Sequence, residues 1–151
     1  MKRWIFLFML VVLVGGPGGA WAGPAEELAE IGRERAKAFR EGNLDAWVAA
    51  YADNAAFQTA LVPFRMEGKE AIRAYFATLF ERYPTRSFVG RQPLVRVYGT
   101  DTTVVTNGYV HVTFVERNGQ VTNLFIRNSV TWVKMGGQWR IVDQHNSKLP
   151  Q

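Results

Sequence analysis

Two glycine-containing turns, Asn118-Gly119 and Gly136-Gly137, divide the last third of the chain into long β-rich segments. Asn-Gly is the strongest two-residue hairpin signal, because both positions tolerate the positive φ of a tight turn. Gly136-Gly137 offers the same freedom. The segments they separate run from Thr102 to Glu116, Gln120 to Lys134 and Gln138 to Ser147. Turns this short join only antiparallel neighbours, so the segments predict a meander. A further strand is expected over Phe88 to Tyr98, where Pro93 predicts a bend or an edge position. Long strands twist, and Gly108 suits a bulge or sharp bend, so the sheet is expected to curl.

The residues before the sheet carry a different period. From Pro24 onward, Leu28, Ile31, Arg35 and Phe39 fall on one helical face, with Glu26 and Glu27 in the first turn. Gly42-Asn43 interrupts this helix, and Asn43 can cap a short second one that sets Leu44, Trp47, Val48 and Tyr51 on one side. Asp53-Asn54 ends it, and a short strand follows over Ala55 to Leu61. Pro63 and Gly68 bracket a turn. Lys69 to Arg82 then predicts a helix with Ile72, Tyr75, Phe76, Leu79 and Phe80 as its apolar stripe, closed by Pro84. Helices followed by a meander define an α+β chain, with N-terminal helices packed on a strongly curved antiparallel sheet. Such a cone encloses an internal pocket, the natural place for a ligand.

Residues 1–22 read as a secretory signal. Lys2 and Arg3 precede an apolar run from Trp4 to Val14, a Gly/Pro break and Ala20-Trp21-Ala22. The run is far shorter than the ~20 residues of a membrane span. Cleavage is expected after Ala22, leaving residues 23–151 as one domain in the periplasm or medium, with no membrane contact. The absence of cysteine rules out a disulfide framework. The 18 Lys and Arg residues fall to 16 without Lys2 and Arg3, against 13 Asp and Glu, so the net charge falls from +5 to +3. That mild charge is dispersed along the chain, and no nucleic-acid partner is expected.

Three stretches carry a resemblance. Glu67-Gly68 is followed by Arg73-Ala74-Tyr75-Phe76; Trp132 leads through Gly137 to Trp139; and Val142-Asp143-Gln144-His145-Asn146-Ser147 is followed by Pro150. In this order they resemble the nuclear transport factor 2-like superfamily, with its SnoaL-like and ketosteroid-isomerase-like members. More closely, the chain is similar to the association domain of calcium/calmodulin-dependent protein kinase II and its free-standing bacterial relatives, over Pro24 to Pro150. The resemblance implies a deep pocket and a sheet face used for dimers or larger rings, and no kinase activity. It also places pocket arginines of the kinase hub at Val130 and Asn146, where this chain has none. Arg127 matches an arginine carried by many bacterial relatives.

The candidate ligand pocket comprises Trp47, Tyr51, Tyr75 and Phe76 from the helical part, with Tyr109, Arg127, His145 and Asn146 from the strands. Strand alternation puts Trp139, Ile141, Asp143 and His145 on one face, and Arg140, Val142, Gln144 and Asn146 on the other. If the chain is an enzyme, His145 and Asp143 form its acid–base pair, with Tyr75 or Tyr109 as donor, for isomerase, dehydratase or hydrolase chemistry. Few acids fall within strands, which weighs against a two-carboxylate mechanism. His111 and His145 lack ligand spacing, so neither metal nor cofactor is expected. The leading expectation is a homo-oligomeric protein that binds a small, partly apolar molecule. An enzyme and an oligomerisation scaffold remain as alternatives.

Overall fold

The apolar stripe that begins at Leu28 folds as expected into α1 (Pro24–Glu41), with Pro24 in its first turn and Gly42 in the left-handed conformation at its end. Gly42 is required there twice over. Its φ is 74°, and a Cβ would collide with the Arg86 guanidinium. The Asn43 side chain accepts a hydrogen bond from the Ala46 N–H at 3.0 Å and starts α2 (Leu44–Val48). The chain then departs from expectation. Tyr51 is the first residue of β1 (Tyr51–Gln58), not the last of a helical stripe, because α2 is only five residues long. A two-residue strand, β2 (Met66–Glu67), pairs back on β1, and α3 (Lys69–Arg82) follows.

The remaining elements are β3 (Thr85–Tyr98), β4 (Thr103–Val115), β5 (Val121–Met135) and β6 (Gln138–Lys148). The computed structural model describes residues 23–150. The leader expected over 1–22 lies outside the described residues. The sheet order is β2-β1-β6-β5-β4-β3, an unclosed, curled sheet. The meander from β3 to β6 is antiparallel throughout, whereas β1 joins β6 in parallel, so the sheet is mixed rather than purely antiparallel. A parallel neighbour comes from distant sequence and leaves no hairpin signal.

Pro93 lies in the edge strand β3, at a break in its register with β4 between Arg91 and Leu94. Gly108 faces that break: a Cβ there would stand 3.1 Å from the Arg91 carbonyl oxygen. The bulge is thus in β3, and Gly108 is the partner that lets it approach. The helices cover one face of the sheet. The core between them is continuous from Leu28 and Phe39 through Trp47, Phe57 and Phe76 to Val112, Phe114, Ile126 and Ile141. No helix among the described residues is long and apolar enough to cross a membrane.

Candidate ligand pocket

The last strand decides which side chains the cone contains. Trp132 pairs with Ile141 and its neighbour Thr131 with Asp143, leaving Val142 as an extra residue in β6. Such a bulge reverses the alternation beyond it. Trp139 and Ile141 are buried inside; after the bulge the inward residues are Gln144 and Asn146, while Asp143 and His145 are exposed. Simple alternation from Trp139 therefore misplaces the strand end: Asp143 and His145 lie on the outer face, opposite Trp139 and Ile141.

The inner face holds two cavities. One, about 70 Å³, is walled by Trp47, Phe57, Tyr75, Phe76, Gln144 and Asn146 among others. Its aromatic rings form a connected cluster, with Trp47 5.2 Å from Phe76, and Phe76 5.5 Å from Phe57 and 5.1 Å from Tyr75. Such tilted and stacked pairs fix ring orientation beyond simple area burial. The second cavity, about 480 Å³, lies between α1 and the inner surface of β3 to β5, where Phe88, Val110, Asn128, Val130 and Trp132 face Leu28, Gly32 and Arg35. Phe88 belongs to both walls.

Amides line the floor between them. The Tyr51 hydroxyl donates to Gln144 Oε1 at 2.7 Å. Gln144 Nε2 donates to Asn146 Oδ1 at 3.5 Å, and Asn128 Nδ2 donates to the same oxygen at 2.6 Å. Burial raises the pKa of Tyr51, opposed by the neighbouring Arg35, and burial raises that of Tyr75, opposed by Thr59. Both phenols therefore stay neutral over the physiological range and act as hydrogen-bonding groups.

The sequence-predicted pocket residues separate into groups. Trp47, Tyr75, Phe76 and Asn146 line the first cavity. Tyr51 is fully buried behind it and positions Gln144. Arg127 and His145 stand on the outer face with Asp143, along a shallow depression that also includes Ser129 and Ser147; Tyr109 borders both that depression and the larger cavity. Residues not anticipated in this role are Arg35, Asn128 and Gln144. Arg35 was visible as a charge within an apolar helical stripe, while Gln144 was hidden by the bulge. Among the described residues, no three His, Cys, Asp or Glu side chains gather as metal ligands.

A curled sheet with helices across one face is the fold of nuclear transport factor 2-like proteins. Comparison with known proteins narrows the class. Residues 24–150 match the calcium/calmodulin dependent protein kinase II association domain family, to which the chain belongs. Among solved structures, it is similar to a candidate association domain of that kind from Xanthomonas campestris, at 22% identity over 86% of this chain and 91% of that one, with a TM-score of 0.76. A nuclear transport factor 2-like superfamily protein from Salmonella enterica matches at 21% identity over 85% and 92% of the two chains, TM-score 0.75. A candidate scytalone dehydratase from Novosphingobium aromaticivorans matches at 12% identity over 83% and 84%, TM-score 0.76. Identities this low establish a shared fold. No curated protein matches the chain in sequence.

Proposed function

We propose that this chain is an exported, non-catalytic protein that binds a small, partly apolar molecule on the inner face of its sheet. The observation that carries the reading is the pair of cavities under the helices, with aromatic walls and a hydrogen-bonded amide floor. The larger, about 480 Å³, falls within the ~300–1,000 Å³ of small-molecule sites. Apolar walls supply contact area, and the few convergent polar groups supply orientation. Export to the periplasm or medium is supported by the signal pattern ending at Ala22.

Self-association through the outer face is part of the same proposal. Val89, His111 and Phe125 form one cross-strand row there, and the His111 and Phe125 rings stack 4.5 Å apart. Phe125 is 53% exposed, and Leu94 and Tyr109 are exposed on the same face. A contiguous apolar patch of this kind suits a second copy of the chain.

The enzymatic alternative is less well supported. Of its two candidate donors, Tyr75 lies in the cone while His145 and Asp143 face away from it. Tyr109 does share a depression with His145 and Asp143, but that depression is open on the outer face and lies apart from the aromatic-walled inner face.

Binding of the neutral, environment-sensitive fluorophore N-phenyl-1-naphthylamine tests the reading. Gly32 lies at the rim of the larger cavity, and a Cβ there meets nothing within 4 Å. Gly32→Phe is therefore expected to obstruct the cavity and suppress the fluorescence rise, while His145→Ala leaves it intact. Suppression by His145→Ala alone would move the ligand to the outer face and discard the proposal.

A further inference from the structure

The amides beneath the smaller cavity all point one way. Arg35 stands beside Tyr51, its guanidinium carbon 5.3 Å from the ring centre, and its charge opposes the burial that raises the phenol's pKa. A guanidinium donates and never accepts, so the Tyr51 hydroxyl hydrogen turns away from it. That hydrogen goes to Gln144 Oε1 at 2.7 Å. With its oxygen engaged, the Gln144 amide turns its nitrogen to Asn146 Oδ1, which also accepts from Asn128 Nδ2 at 2.6 Å. The orientation of the Asn146 amide follows. Its oxygen faces the two amide donors, and its nitrogen faces the other way.

Asn146 is half-buried and lines the aromatic cavity of about 70 Å³. Among the described residues, its Nδ2 meets no acceptor. It is also not one of the covered donors left without a partner, which belong to Arg35, Trp47 and Arg86. The nitrogen therefore opens into the cavity rather than into packed protein. No Asp or Glu lines this cavity, and its one Lys or Arg side chain, Lys148, lies exposed at the rim. An anion entering it would lose hydration without meeting a buried cation. A ligand hydroxyl or amine would find Gln144 Oε1 and Asn146 Oδ1 already engaged.

We propose that the smaller cavity selects a neutral molecule with an apolar body and a carbonyl oxygen. The oxygen accepts a hydrogen bond from Asn146 Nδ2, and the body packs on Phe57 and Phe76. Arg35 and Tyr51 are positioning residues. They act through Gln144 and set which end of the Asn146 amide meets the ligand. This rests on the small-molecule reading above and specifies the ligand's charge and polar group.

Acetophenone and α-methylstyrene have the same shape and differ only in a C=O against a C=CH2, so they test the proposal on the full chain. Asn146→Asp keeps the oxygen that serves Gln144 and Asn128 and removes the donor. It is expected to weaken acetophenone about two- to tenfold, the range of one hydrogen bond, and to leave α-methylstyrene nearly unchanged. The infrared carbonyl stretch of bound acetophenone is expected below its value in hexane, and closer to that value in Asn146→Asp. Tyr51→Phe frees Gln144 to turn over and should move the stretch the same way. Equal weakening of both compounds by Asn146→Asp, or no weakening of acetophenone, overturns the proposal. A stretch unmoved in Tyr51→Phe overturns the positioning role. If Asn146→Asp does not fold, the wild type decides: a bound carbonyl stretch at its hexane value overturns the proposal. Fluorophore binding separates the two readings. Normal fluorophore binding without acetophenone binding discards the carbonyl ligand and leaves the small-molecule reading in place. Loss of both discards both.

Discussion

The two faces of β5 and β6 are built from nearly interleaved residues, yet they differ in every property that matters for a site. Inward lie Ile126, Asn128, Val130 and Trp132 from β5, with Gln144 and Asn146 from β6, packed under helices and joined through amide hydrogen bonds. Outward lie Arg127, Ser129, Asp143, His145 and Ser147, a set rich in ionisable and nucleophilic groups but open to water. Residue chemistry alone would choose the outer set as an active site. Geometry favours the inner set as the proposed binding site, because it lies under the helices beside the aromatic-walled cavities. The difference rests on one extra residue, Val142, which turns the strand end over.

Breaking the inner face should have the largest effect. Phe76 touches Trp47, Phe57, Tyr75 and Phe80. Phe76→Ala is expected to cost about 3–5 kcal/mol, measured by urea unfolding. A loss below 1 kcal/mol, on the scale of a surface change, would mean that the aromatic cluster is not close-packed. Gln144→Leu comes next, at about 1–3 kcal/mol, because it strands the buried Tyr51 hydroxyl. The double variant Tyr51→Phe/Gln144→Leu should recover part of that loss, since it removes both partners.

A smaller effect links α1 to the start of β6. Glu27 accepts hydrogen bonds from Lys134 Nζ at 2.8 Å and Trp139 Nε1 at 2.6 Å. These hold its folded pKa below the ordinary value of 4.5. The charged form is thus favoured by folding, so its contribution is complete above the unfolded pKa and lost as pH falls through the lowered folded value. Unfolding midpoints measured down the acid range should fall more steeply for the wild type than for Glu27→Gln. Parallel curves would remove Glu27 from the account. The smallest effect belongs to the outer face, where Asp143→Asn and His145→Ala should each change stability by no more than about 0.5 kcal/mol. They should leave fluorophore binding unchanged.

The same contrast explains how far the sequence could be read. The meander was legible at Asn118-Gly119 and Gly136-Gly137, because tight turns advertise themselves locally. α1 and α3 were legible from their apolar period, and Pro93 from the geometry of proline in a strand. The parallel pairing of β1 with β6 was not, since its partners lie far apart in the chain. Tyr51 fitted a helical stripe equally well, and only the early end of α2 makes it a strand residue. In the candidate site, Trp47, Tyr75 and Phe76 were legible because large aromatics on helices turn toward a core. Asn146 entered through resemblance, whereas Gln144 required knowledge of the bulge. A one-residue bulge shifts the alternation without changing composition, so neither period nor propensity reveals it.

The direction of the strand end can be measured directly, because the chain contains no cysteine. His145→Cys and Asn146→Cys each provide a single thiol, one on either side of the proposed divide. The account predicts rapid maleimide labelling at position 145 and slow labelling at 146, slowed further by a bound inner-face ligand. Faster labelling at 146 than at 145 would contradict it.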